Sequence, residues 1–222
     1  MRKATTVPHE LPAAITADGV TLHGTLALPV RPVGVVLFAH GSGSGRFSPR
    51  NNYVAGVLRQ AGVGTLLFDL LTEVEAADRE KVFDIPLLAE RLLHGTNWIE
   101  SQPEVTGLPV GYFGASTGAA AALVAAAQDG RAVRAIVSRG GRPDLAGDFL
   151  SRVRAPTLLI VGGDDEPVIQ MNRSALSRLV GVKELVIVPG ATHLFEEPGT
   201  LEEVARLASE WFVRHLGGAK TD

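Results

Sequence analysis

The chain has 222 residues, no cysteine and a formal net charge of −3, with 45% hydrophobic and 20% charged residues. At ~150 residues per domain this length fits a single domain over 1–222, able to bury a sizeable core without disulfide or metal support. The composition excludes a disulfide framework, a zinc ribbon, an iron–sulfur site and a cysteine nucleophile, and the mild acidity argues against a nucleic-acid partner.

Residues Met1 to Glu10 include Arg2 and Lys3 but no apolar run behind them, so they do not read as a secretory leader. Asp18-Gly19 is a turn signal ahead of Val20 to Leu28, where apolar and polar residues alternate. That pair of features predicts a hairpin opening near residue 10 at a sheet edge. Val33 to Ala39 is then a continuous apolar run, the pattern of a strand buried on both faces of a parallel sheet. Ser48-Pro49 supplies an N-cap and first position for a helix to Gln60, stopping at Gly62. Residues 64–68 repeat the buried-strand pattern. The charge-rich stretch from Leu70 to Phe83 reads as a loop or short helix over one edge.

Ile85 to Glu100 has apolar residues at 85, 88, 92 and 99, near helical spacing. Residues 109–113 form the next buried strand, followed by an alanine-rich helix from Ser116 to Gln128 that stops at Asp129-Gly130. Further buried strands are predicted at 135–137, 157–161 and 185–188. A helix over 170–180 ends at Gly181, and Thr200-Leu-Glu-Glu203 is a capping box opening a helix to Leu216 that stops at Gly217. Regular strand–helix alternation predicts an α/β domain with a mostly parallel sheet and right-handed crossovers. Its most apolar run, Ala119 to Ala127, is far short of the ~20 residues a membrane span requires. A soluble cytoplasmic protein with no membrane partner is the expectation.

Gly114-Ala115-Ser116-Thr117-Gly118 matches G-x-S-x-G between a buried strand and a helix, the setting of a nucleophile elbow. The competing reading is a plain strand–helix turn whose serine caps the helix. A serine hydroxyl needs a base and an orienting acid. Both residue types follow in chain order, each in a loop after a later strand: Gly162-Gly-Asp-Asp-Glu-Pro-Val168 and Pro189-Gly-Ala-Thr-His193. Both loops lie at the carboxyl ends of their strands, where open α/β sheets place ligands. Among six histidines only His193 is so positioned. His9 and His94 read as surface residues, His23 lies in the early strand and His215 closes the last helix. Asp164, Asp165 and Glu166 compete for the acid role. Backbone donors for a developing oxyanion are expected from Thr117 and from the loop His40-Gly41-Ser42-Gly43. Gly41-Ser-Gly-Ser-Gly45 has neither a G-x-G-x-x-G match nor the lysine of a P-loop, so it does not read as a phosphate cradle.

Together these pieces, with Phe68-Asp-Leu70 and Gly190-Ala-Thr-His193-Leu-Phe-Glu-Glu-Pro198, resemble the α/β-hydrolase superfamily, and within it the small, nearly capless dienelactone-hydrolase-like group. The resemblance runs from Val33 to Leu216. It implies a triad of Ser116, Asp165 and His193, with an oxyanion hole from the amides of Ser42 and Thr117. The chain is also similar to hydrolase domains fused behind phosphoribosyltransferase domains, and only the hydrolase half is matched. One departure stands out: enzymes that open dienelactones typically use cysteine, and here the candidate nucleophile is serine. The expected activity is hydrolysis of small carboxylic esters through an acyl-enzyme. Thioester or amide cleavage, acyl transfer, and an inert binding module on the same fold are the alternatives. Phe47, Leu70, Leu71 and Phe195 are candidate pocket walls. Arg139, and with it Arg46 and Arg50, is a candidate for holding an acidic or polar substrate, against the simpler role of pairing Arg139 or Arg142 with Asp144 or Asp148. No cofactor and no metal site are expected; a homodimer through Trp98, Trp211 or the last helix is left open.

Overall fold

The computed structural model describes residues 9–128 and 133–218. The Asp129-Gly130 helix stop and the segment 1–8 lie outside the described residues. The opening hairpin pairs β1 (His9–Ala17) with β2 (Val20–Leu28). Its two turn residues, Asp18 at φ 47° and Gly19 at φ 83°, both have the left-handed backbone that a tight hairpin turn requires.

β2 lies antiparallel to β4 (Gly64–Phe68). From β4 onward the sheet is parallel, through β3 (Val35–Ala39), β5 (Val110–Ala115), β6 (Ala135–Arg139), β7 (Thr157–Gly162) and β8 (Lys183–Val188). The order across the eight strands is β1-β2-β4-β3-β5-β6-β7-β8. Strands β3, β4, β6 and β7 are buried at every position, as continuous apolar runs predict. β8 differs from the reading of 185–188 as doubly buried. It is an outer strand starting at exposed Lys183 and Glu184, charges that discourage further strand pairing.

One face of the sheet is covered by α1 (Pro49–Gln60) and α7 (Thr200–Leu216), the other by α4 (Ile85–Glu100), α5 (Thr117–Gln128) and α6 (Glu166–Arg178). The α1 start is as read: Ser48 Oγ accepts from the Asn51 amide, with Pro49 at the first position. The α7 start is not. Gly199 at φ 84° occupies the cap position, and Thr200 is already helical, its hydroxyl donating back to the Glu197 carbonyl (2.7 Å). A hydroxyl turned backward in this way leaves no cap for the Thr200–Glu203 pair to form. The chain's capping box lies instead at Thr72 and Glu75. It opens α2 (Glu73–Ala76), which with α3 (Arg79–Val82) makes two single-turn helices of the stretch read as loop or short helix. Buried Arg91 on α4 holds Glu75 at 3.2 Å and so fixes α2 onto the body of the domain. Residues 143–152 form 3₁₀ turns broken at Gly147 (φ 54°), which periodicity did not suggest. Among the described residues no helix is long and apolar enough to cross a membrane.

Candidate active site

β5 runs directly into Ser116, which holds φ 51°. A left-handed backbone costs a non-glycine residue about 1–2 kcal/mol, so the surrounding structure must enforce it. It does so from both sides. The Ser116 amide donates to the Arg139 carbonyl (3.3 Å), and the Ser116 carbonyl accepts from Arg142 (3.0 Å) and Ala119 (3.1 Å). The two motif glycines serve by being small, since neither has positive φ. A Cβ on Gly114 would meet the Ala119 backbone at 2.4 Å, and one on Gly118 would meet the Ala39 carbonyl at 2.1 Å. Only glycine lets α5 start this close to the ends of β3 and β5.

Asp165 occupies the N-cap position of α6, where an aspartate ordinarily accepts from a first-turn amide. Here it makes no cap bond. Its Oδ2 accepts instead from His193 Nδ1 at 2.7 Å, with 14% of the Asp165 side chain exposed. Asp164 is exposed, and Glu166 is engaged by Gln170 (2.6 Å), so of the three acids Asp165 is the one that meets the histidine. The histidine loop is braced at two points. Glu197 takes both the amide and the hydroxyl of Thr192 (3.0 and 2.6 Å), and Phe195 is buried in the α1–α7 core layer. Gly140 lies against the histidine loop, one residue from the contact that holds the Ser116 turn. Its neighbour Arg139 receives the Ser116 amide, and a Cβ on Gly140 would meet the His193 carbonyl at 3.0 Å and ring Cε1 at 3.6 Å.

The loop after β3 presses on Ser116, since a Cβ on Gly41 would lie 2.9 Å from Ser116 Cβ. Ser42 donates its amide to no acceptor among the described residues, and Thr117, first in α5, has no intrahelical acceptor for its own. Both amides therefore remain available beside Ser116. Ser42 and Thr117 also line a mostly apolar cavity of about 280 Å³ with His40, Leu71, Ala76, Val82 and Leu88. The Thr117 hydroxyl is buried there without a partner. A second cavity of about 610 Å³ shares His40, Ser44 and Leu71 and extends along Arg46, Phe47 and Asp69. A third, of about 470 Å³, lies at the opposite ends of the strands, along Val35, Pro109 and Arg134, and is lined by none of Ser116, Asp165 and His193.

The candidate pocket walls divide. Leu71 lines both site cavities, and Phe47, 78% exposed, lines the outer one. Leu70 and Phe195 lie inside the two core layers and line neither. Arg46 is tied to Asp69 by both its amide and its guanidinium. Arg142 pairs with Asp144, and Asp148 is taken by Arg178. Arg139 takes neither acid; it is buried and reaches Asn51 Oδ1 at 3.4 Å. The other histidines lie elsewhere. His23 is exposed, His94 is near Asp18, and His215 stacks on Trp211, its pKa lowered by burial and then by Arg214. Asp18, Glu90 and His94 form the one metal-capable cluster among the described residues, and it includes none of Ser116, Asp165 and His193.

Residues 68–215, two thirds of the chain, match the Dienelactone hydrolase family. The chain belongs to the dienelactone hydrolase family. A crystal structure of dienelactone hydrolase from Anabaena variabilis ATCC 29413 is 57% identical with a TM-score of 0.90, over 94% of this chain and 98% of that one. Est1E from Butyrivibrio proteoclasticus, at 18% identity, covers 93% of this chain and 99% of its own with a TM-score of 0.79, a likeness of fold alone. Two Mycobacterium tuberculosis proteins, of strains H37Rv and CDC 1551, are each 61% identical over 204 residues. They carry the provisional name phosphoribosyl transferase. The match covers 92% of this chain and 46% of theirs, so the chain spans about half the length of these curated relatives.

In this dienelactone hydrolase family chain, one residue at the site went unassigned in the sequence: His40. It is buried, and its Nε2 accepts from the Leu70 amide at 2.9 Å. That leaves the proton on Nδ1, which donates to the Gly41 carbonyl at 3.1 Å. The neutral ring thus ties the loop carrying Ser42 to the end of β4. Burial lowers the His40 pKa from 6.5, against smaller opposing effects of the Gly41 carbonyl and Asp69. A histidine depressed in the folded state lets the unfolded chain bind protons first. Stability is therefore complete above the unfolded pKa and declines as pH falls from there toward the lower folded value. His40→Ala strands the Leu70 amide and costs about 1–3 kcal/mol. Thermal melts between pH 7 and pH 5 should show a shallower acid loss in this variant than in wild type. An identical slope in both would remove His40 from this role.

Proposed function

We propose that this chain is a serine hydrolase that cleaves small carboxylic esters through an acyl-enzyme. The observation that carries the reading is the strained Ser116 backbone at a strand–helix turn, beside two uncommitted amides, in a chain whose later strand-end loops join His193 to Asp165. Such strain persists only where surrounding structure enforces it, and it clusters at reactive positions.

In this reading Ser116 Oγ attacks the ester carbonyl, and His193 takes its proton through Nε2. The Ser42 and Thr117 amides receive the oxyanion. His193 then returns the proton to the departing alkoxide, and the same histidine activates the water that releases the acid. Asp165 keeps the Nδ1 proton in place and stabilises the imidazolium. The apolar cavity beneath α2 and α3 takes the apolar portion of a short ester, with Leu71 as its shared wall. The transferase name of the M. tuberculosis relatives is not extended to this chain, because the match to a hydrolase family covers residues 68–215.

A fluorophosphonate probe tests the reading without knowledge of the natural substrate. Stoichiometric labelling that maps to Ser116, together with turnover of p-nitrophenyl butyrate, is the expected result. An unlabelled protein that turns over no ester of a chain-length panel would leave an inert fold.

A further inference from the structure

We propose that Arg139, Arg50 and the first turn of α1 form a subsite for a phosphoryl group on the substrate, an inference that rests on the esterase reading above.

Arg139 is the last residue of β6, in register with Ala115 just before the nucleophile, and its carbonyl holds the Ser116 amide. Strand alternation sends Ser138 toward α5 and Arg139 to the opposite face, against α1. There Arg139 is 8% exposed and its guanidinium has no carboxylate partner among the described residues. Its Nε is buried without a hydrogen bond, and the guanidinium's one hydrogen bond among the described residues is the long one to Asn51. A second cation, Arg50, acts on it electrostatically, and the Arg50 Nε is likewise buried and unpartnered. Burial first, and Arg50 second, push the Arg139 pKa down to about 10, so it is still a cation at neutral pH.

Buried charges are ordinarily paired. Here the surroundings add positive character, because α1 has no acidic residue in its first turn and its amino end carries the positive pole of the helix dipole. Glu196 bonds Arg50 at 3.1 Å from an exposed position, the one ion pair of either arginine among the described residues. Two guanidiniums and a helix end, set against one solvated acid, leave a surplus that a doubly charged phosphoryl group matches better than a single carboxylate. Guanidinium forks also present paired donors to phosphoryl oxygens. The Arg50 side chain is one-third exposed (33%), so the subsite opens to solvent on the Arg50 side, with Arg139 buried behind it. The apolar cavity with Leu71 and Leu88 belongs to the other face of the sheet. Ser116 therefore stands between an apolar and a cationic compartment, which suits an ester whose two ends differ.

Three matched activated esters test this: 4-nitrophenyl 3-phosphonopropanoate, mono(4-nitrophenyl) succinate and its methyl ester. Wild type should prefer the phosphonate over the neutral ester at least tenfold in kcat/KM. Arg139→Gln and Arg139→Met should reduce that ratio at least tenfold, Arg139→Lys by less, and Arg50→Gln severalfold. Inorganic phosphate at millimolar concentration should raise the wild-type Tm but not that of Arg139→Met, a readout independent of turnover. The Arg139→Met protein alone should melt above wild type without added anion, because it loses an unpaired buried charge; a merely structural arginine would give a lower Tm. Turnover of the neutral ester with no phosphonate preference overturns the subsite and leaves the esterase reading intact. A stronger preference for the succinate overturns the phosphoryl assignment. Failure of all three esters counts against the esterase, and absence of phosphate stabilisation then removes the subsite as well.

Discussion

Replacing Ser116 by alanine should lower kcat on an activated short-chain ester by a factor on the order of 10⁴–10⁶, the scale of nucleophile removal in serine hydrolases. The residual rate would come from the Ser42 and Thr117 amides and from substrate binding, which the substitution leaves in place. Stability should move separately from activity. Alanine at φ 51° bears the same strain as serine, so Ser116→Ala should melt close to wild type. Glycine is at ease there, so Ser116→Gly should gain about 1–2 kcal/mol, or roughly 2–4 °C per kcal/mol for a domain of this size. A Ser116→Ala protein that is folded and still turns over ester at near wild-type rate would remove Ser116 as nucleophile. The glycine variant adds a second reading: an inactive but more stable protein is the signature of strain held for chemistry rather than for folding.

The parts of this architecture legible in the sequence are those set by neighbouring residues. Runs such as Val35–Ala39 and Thr157–Gly162 are apolar at nearly every position because the sheet buries both faces, and a one-dimensional pattern records that directly. The Gly114–Gly118 turn is local only in part: a Cβ on Gly114 would meet Gly118 and Ala119, whereas one on Gly118 would meet the distant Ala39 and His40 backbone. Long-range partners are where the reading stops. His40 matters through Leu70, thirty positions away, and Arg139 meets Asn51 at a separation of 88. No periodicity links such residues. Leu70 and Phe195 show the same limit in reverse. Both stand beside site residues in the chain, yet one residue of strand or turn sends each side chain into a core layer and leaves only Leu71 facing the cavity. Thr200–Glu203 has the letters of a capping box. The left-handed Gly199 before it, required by the turn out of the histidine loop, decides the helix start instead. The choice among Asp164, Asp165 and Glu166 likewise depended on resemblance, because all three are within reach of the same strand end.

That choice supports the second large prediction. Asp165→Asn should reduce kcat/KM about 10⁴-fold, while Asp164→Asn should remain near wild type. The argument runs through one proton. Asp165 Oδ2 lies 2.7 Å from His193 Nδ1, and a carboxylate can only accept, so Nδ1 carries hydrogen and Nε2 keeps the lone pair that the proposed base requires. An asparagine can turn its amide NH₂ toward Nδ1, which moves the proton to Nε2 and leaves no lone pair for Ser116. This wrong-tautomer effect is the known consequence of removing such a charge while keeping its shape. It differs from a packing defect in one measurable way: the Asp165→Asn protein should still bind a non-hydrolysed ester analogue with affinity close to wild type. Asp165 makes no cap bond to α6, so the substitution takes no hydrogen bond from that helix and the melting temperature should fall little. If Asp164→Asn were instead the inactive variant, the acid would have to reach His193 from the exposed side of the turn, and the geometry of the 162–168 loop would need to be redrawn. Equal activity of both variants and wild type would show that His193 works without a buried carboxylate. The α6 N-cap position would then have given up its usual bond for nothing, an outcome that the 2.7 Å contact argues against.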